Sequence, residues 1–128
     1  MTIAVLSGAA APQETTAAFA GAINRGDLAT AANCFTKDGC LLTPDSTAIR
    51  GRDDIRAVLH QLIVIEYRIE VQESSALIAG DVAHLSQRWV VASGSAGSAL
   101  SRSFTASLVL RRLEEAWKLA VAMPWGRG

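Results

Sequence analysis

Apolar residues in this chain follow a helical spacing up to about residue 65 and a strict alternation after it. In the first half, Ala18, Phe19, Ala22 and Ile23 fall on one face of a 3.6-residue repeat. That spacing predicts a helix from Pro12 to about Asn24. Pro12 suits its first turn, where a missing N–H costs nothing. Gly26 supplies a left-handed stop, and Asp27 is placed to cap a second helix over Leu28 to Phe35. Lys37-Asp38-Gly39 reads as a turn. Short strands are expected at 40–43 and 47–50, on either side of Pro44-Asp45-Ser46. Gly51 then breaks the chain. Asp53 and Asp54 open a third helix reaching about Ile63, at the end where negative charge suits the helix dipole.

The second half reads as four longer strands. Tyr67, Ile69 and Val71 alternate with Glu66, Arg68, Glu70 and Gln72. After a turn at Ala79-Gly80-Asp81, Leu85, Gln87, Trp89 and Val91 alternate with His84, Ser86, Arg88 and Val90. A Gly/Ser/Ala loop over Ser93 to Ala99 leads to Phe104, Ala106, Leu108 and Leu110 on one phase. After a last turn at Arg112 to Ala116, the same rule places Trp117, Leu119, Val121, Met123 and Trp125 on one face. Period two in each run implies a sheet with one buried and one partly exposed face. Three helices packed on a curved, mixed or largely antiparallel sheet of about six strands is an α+β layer architecture. No repeat or linker divides the chain, so residues 12–128 are expected to form a single domain after a flexible or partly ordered segment 1–11.

Composition narrows the function. The chain has 128 residues, half of them hydrophobic, which is enough for one real core. Lys plus Arg and Asp plus Glu are 12 each, so no basic surplus points to nucleic acid. Near-zero net charge is compatible with self-association. The N-terminus lacks the basic region of a signal peptide, and no apolar run reaches the length of a membrane span. A cytoplasmic protein is expected. Cys34 and Cys40 are the only cysteines, and reduced thiols are the default in that compartment. No metal site and no cofactor are expected. Gly94 to Gly97 is not a phosphate loop, since no Lys and no helix come after it.

The run from Asn24 to Leu62, with its Asn-Arg-Gly-Asp-Leu start and its Gly51-Arg52-Asp53-Asp54-Ile55 helix opening, carries a family resemblance. So do Gly80-Asp81-Val82-Ala83-His84-Leu85 leading to Trp89, Leu110-Arg111-Arg112 before Trp117-Lys118-Leu119, and Pro124-Trp125-Gly126. Together they resemble the SnoaL-like, ketosteroid-isomerase-like branch of the nuclear transport factor 2-like superfamily. The resemblance implies a cone-shaped α+β barrel with a curved sheet, an apolar pocket on the concave face, and a homodimer formed through the outer face. Its members include isomerases, cyclases, dehydratases and epoxide hydrolases, besides non-catalytic binding or assembly domains, so the fold does not give the reaction.

The acid and base groups of ketosteroid isomerases do not carry over. The Asp before the hairpin proline is Thr43 here, and the first-helix Tyr aligns with Phe19. No Asp or Glu lies between Asp81 and Glu114 to supply a late-strand acid. The same gap removes the Arg-and-two-Asp set of limonene epoxide hydrolases, and the frequent Asp-Asn-Pro ending is replaced by Ala122-Met123-Pro124.

The candidates that remain are His60 and Asp45 for proton transfer, with Tyr67 or Gln87 to polarise a substrate. Phe19, Tyr67, Gln87, Trp89, Phe104, Met123 and Trp125 are candidates to line a pocket for a small apolar molecule. The same apolar side chains would equally serve as a filled core. Asp45 equally serves as a turn former, and Gln87 and Tyr67 could bond each other or the backbone. His84, Ser86 and Arg88 share a strand face with charges of the neighbouring strand, and the register decides whether that face is solvated, dimer-facing or inward. The leading expectation is a pocket protein, as an enzyme a cofactor-free isomerase, dehydratase or cyclase. The alternative is a non-catalytic ligand-binding or dimeric assembly domain. A subunit of an oxygenase-like pair is a weaker third reading.

Overall fold

A computed structural model describes residues 11–93 and 101–125. The expected N-terminal segment and the Gly/Ser/Ala loop fall outside these residues, apart from Ala11 and Ser93. The described chain runs α1 (Pro12–Asn24), α2 (Leu28–Asn33), β1 (Phe35–Leu42), β2 (Ala48–Arg50) and α3 (Arg52–Val64). It continues through β3 (Arg68–Ala79), β4 (Val82–Ala92), β5 (Arg102–Leu113) and β6 (Ala116–Met123). The six strands form one sheet in the order β2-β1-β6-β5-β4-β3. All neighbours are antiparallel except β1 and β6, which run parallel, so the sheet is mixed. β2 and β3 are its edges, and the barrel is open rather than closed.

Local chemistry sets the helix ends. Pro12 is the first residue of α1, and Gly26 takes φ 75°, the conformation that ends the helix cheaply. The Asp27 carboxylate accepts from Thr30 N and caps α2, and this bond holds its carboxyl below the usual range. Lys118 Nζ donates to Asn33 O at 2.7 Å at the other end of α2. α2 stops two residues earlier than its apolar pattern suggests. The expected turn Lys37-Asp38-Gly39 is instead the middle of β1, where the register with β6 shifts between Phe35 and Cys40. Gly39 is needed there for space. A Cβ would sit 3.2 Å from Thr36 O and 3.3 Å from Leu119 O.

α1 lies across the sheet and is tied to it at both ends. Thr15 Oγ1 donates to Trp117 O at 2.8 Å. The Asn24 amide accepts from Ile69 N at 2.7 Å and donates to Ile69 O at 2.8 Å, so it acts as one more rung beside edge strand β3. Beneath α1, Phe19 stacks on Trp89 with ring centroids 6.2 Å apart and meets Phe35 edge-on at 5.8 Å. Each such side chain contributes about 1.5–3 kcal/mol by leaving water.

Among the described residues three polar side chains are buried, Thr16, Thr36 and Gln87. Gln87 is 2% exposed, and every strong hydrogen-bonding group it has is used. Trp89 Nε1 can only donate, and it meets Gln87 Oε1 at 2.8 Å, which fixes the orientation of the amide. Gln87 Nε2 then donates to Thr16 Oγ1 at 2.9 Å and to Ser74 Oγ at 3.0 Å. Thr16 passes its own proton to Gln13 O. Ser74 faces inward only because β3 carries an extra residue at Gln72, where its register with β4 shifts.

Replacing Gln87 by Leu strands the buried Trp89 N–H and should cost about 2 kcal/mol in urea unfolding. Adding Trp89→Phe should then cost less than it does in the native background, and strict additivity would sink the network. Burial pushes the Cys34 thiol up to about 11, with its Sγ donating to Thr30 O. Native alkylation at pH 8 should therefore label Cys40 alone by mass spectrometry, and equally fast labelling of Cys34 would contradict this.

Candidate functional site

The strand registers settle which residues face inward. Leu85, Gln87, Trp89 and Val91 of β4 pair with Leu108, Ala106, Phe104 and Arg102 of β5 on the helix-covered face. His84, Ser86 and Arg88 therefore lie on the outer face, where His84 Nε2 and Ser107 Oγ are 2.8 Å apart. The inward reading of that trio is excluded.

β6 breaks its own alternation. Leu108 pairs with Ala122 and Leu110 with Leu119, so Ala120 is an extra residue and the phase inverts after it. Ala122 and Pro124 face in. Val121 and Met123 pair with the outer residues Val109 and Ser107. Met123, expected to line the pocket, is on the opposite face of the sheet.

The deep end of the concave face is packed shut. Phe35, Leu85, Leu108 and Leu110 have 0% of their surface accessible, which leaves no water-sized void beside them. Phe19 and Trp89 belong to this packed floor, and both N–H groups of Gln87 are already bonded within the protein. The Gln87 amide thus ties α1, β3 and β4 together.

The rim differs. Tyr67 precedes β3, Phe104 lies on β5 and Trp125 comes after β6; all three are half-buried and packed against the core. Trp125 Nε1 donates to Tyr67 Oη at 2.9 Å, bridging from the end of β6 to the start of β3 past the two strands between. Accepting that bond leaves the phenol its own proton to donate. Burial raises the Tyr67 pKa, with the Trp125 bond and the Arg102 charge opposing the shift. At neutral pH the group is thus a phenol, a donor and not a base. Arg102 is exposed, shares the inner phase of β5 with Phe104, and places its guanidinium carbon 6.0 Å from that ring's centroid.

The two expected proton-transfer residues are both exposed. His60 is exposed on α3 and has no hydrogen bond to the rim. Asp45 is exposed in the β1–β2 turn, at the sheet edge opposite to β3. It accepts from Thr43 Oγ1 and from Thr47 N, and these bonds lower its pKa. Its turn role is satisfied without a ligand. Asp53 and Asp54 stand in the first turn of α3 as expected. No cluster of His, Cys, Asp or Glu among the described residues suits a metal, and no described helix is long and apolar enough to cross a membrane.

Arg102, Thr16 and Ser74 were not singled out from the sequence. Thr16 was legible as the residue three before Phe19 on the same helix face. Arg102 was legible as the residue two before Phe104 on the inner phase. Ser74 was hidden by the extra residue at Gln72.

No curated protein sequence matches the chain. Among solved structures, a protein of unknown function from Mycobacterium tuberculosis superposes at TM-score 0.79 with 26% identity, over 88% of this chain and 67% of the other. A protein provisionally assigned as a dehydratase of the nuclear transport factor 2-like family, from Streptomyces avermitilis, gives 0.77 and 17%, over 87% and 90%. Another, from Novosphingobium aromaticivorans and provisionally assigned as an aromatic ring hydroxylase, gives 0.77 and 20%, over 87% and 82%. The last two share the fold and no more. The SnoaL-like domain matches residues 13–122, nearly the whole described chain. The protein thus belongs to the SnoaL-like domain family.

Proposed function

We propose that this protein holds a small, largely apolar aromatic molecule at the rim formed by Tyr67, Phe104 and Trp125, with Tyr67 donating a hydrogen bond to an oxygen of that molecule. The observation that carries this reading is the bond from Trp125 to Tyr67, which leaves a phenolic proton free in a half-buried aromatic setting. A pocket that is mostly apolar with one well-placed donor is the usual form of a small-molecule site. If the protein is an enzyme of the isomerase, dehydratase or cyclase kind, Tyr67 polarises a carbonyl and stabilises the enolate that forms. His60 and Asp45 make no hydrogen-bond contact with the rim and are not the favoured base, so binding is the better-supported half of the proposal.

A second reading rests on the outer face of the sheet. Glu73 lies directly across from Arg88 in the β3–β4 register, yet neither has an ion-pair partner among the described residues. Leu77 is 74% exposed on the same face. A twofold axis near this point would set Glu73 of each copy against Arg88 of the other, since such an interface pairs residue i with j and j with i. This supports a homodimer that assembles through the outer face, independently of what the rim binds.

The first reading is checked by calorimetric titration with 2-acetonaphthone, a neutral aryl ketone. Tyr67→Phe should weaken binding about fivefold, the equivalent of about 1 kcal/mol. Trp125→Ala should weaken it further, because it removes both the ring contact and the partner that orients Tyr67. Unchanged affinity in both variants would refute the assignment. The second is checked by sedimentation velocity. Arg88→Glu should raise the dimer dissociation constant about tenfold or more, and Glu73→Arg added to it should restore assembly. A monomeric native protein, or a double variant no better than the single, would end that reading.

A further inference from the structure

We infer that the rim selects aromatic molecules that carry a carboxylate, with Arg102 as the group that holds it. The inference rests on the proposed aromatic site and adds the charge of its ligand. Three observations lead to it. First, the β4–β5 register pairs Arg102 with the inward residue Val91, which puts this arginine on the concave side of the sheet at its open end. Second, it is a cation with no counter-charge among the described residues. Arg102 has no ion-pair partner among the described residues, and β4 and β6, its neighbours on either side, contain no Asp or Glu at all. On β3 the acidic residues that flank the inward Ile69 and Val71, Glu70 and Glu73, fall on the outer phase. Third, the guanidinium is placed near the Phe104 ring face, 6.0 Å from its centroid, and its charge is felt at the Tyr67 hydroxyl.

An unpaired arginine on an apolar rim is the complement of an anion attached to an apolar body. Its planar fork suits a carboxylate, which can accept two parallel N–H bonds. Contact with an aromatic face limits the guanidinium's freedom before the ligand arrives. Each carboxylate oxygen keeps a further lone pair, so the free Tyr67 proton can reach the same group. The aryl body then lies against Phe104 and Trp125. Binding needs no covalent step.

The test compares 2-naphthoate with 2-acetonaphthone, which has the same ring and a neutral oxygen, by calorimetric titration of the full chain at low salt. The carboxylate should bind about tenfold more tightly. Arg102→Gln should bring its affinity down to that of the ketone, while Arg102→Lys should keep part of the preference, because a point charge replaces the fork. Arg102 is exposed, so unfolding curves of these variants should overlay on the native one. Equal affinities of the two compounds, or a preference that survives Arg102→Gln, would overturn the inference and leave the aromatic site standing. If neither compound binds, the aromatic site fails, and this inference fails with it.

Discussion

A single buried amide constrains most of this structure. Burying a polar group without partners costs several kcal/mol, so Gln87 can sit in the core only if all its bonds are made. Making them draws in three different elements: Thr16 from α1, Ser74 from β3 and Trp89 from β4 itself. The requirement is therefore stricter than apolar packing, which accepts any shape of about the right volume. The helix must sit at one height over the sheet, and β3 must carry its extra residue at Gln72. The Trp89 indole must also point along the strand toward Gln87. The stack of Phe19 on Trp89 and its edge contact with Phe35 inherit their geometry from this arrangement.

The consequence is a division of labour along the concave face. Where the polar network and the rings meet, the interior is closely packed and both N–H groups of Gln87 are spent. Toward the open end the same face runs out of packing partners, and Tyr67, Phe104 and Trp125 keep accessible surface. There the Tyr67 hydroxyl keeps a proton to donate, and Arg102 has no ion-pair partner among the described residues. The general-base Asp and the first-helix Tyr of the ketosteroid isomerases align with Thr43 and Phe19, and the chain carries no carboxylate from Val82 to Leu113.

Much of the fold was legible in the sequence because its signals are local. Pro12, Gly26 and Asp27 punctuate the helices through backbone rules that need no tertiary context. Period-two alternation marked each long strand and one true face for β4 and β5. The departures from that period were not legible. An extra residue at Gln72 or Ala120 changes no composition and no propensity; it only inverts the phase of the residues after it. That is why Met123 reads as inward and is outward, and why Ser74 reads as nothing in particular and holds the core amide. Lys37-Asp38-Gly39 misleads in the same way. Its residues favour a turn, but pairing with β6 draws them into a strand with a local irregularity. Site residues were harder still. His60 and Asp45 have the right chemistry, but the chain leaves both in solvent. Arg102 has a plain place in the pattern, and its weight comes only from what its neighbouring strands lack.

The bond across the open end also has an optical consequence. Of the three tryptophans, Trp89 and Trp117 are buried, at 2% and 7% exposure, and the indole of Trp125 alone is half-buried. Emission from the first two reports the state of the fold. Emission from Trp125 reports the polarity of the open end and the presence of the Tyr67 hydroxyl beside its ring nitrogen. The sole tyrosine of the chain is that same partner, so tyrosine-to-tryptophan energy transfer is greatest at the place where a ligand would act. The molecule thus carries a donor and acceptor pair of its own, set across the mouth of the cone, and needs no added dye to register a change there.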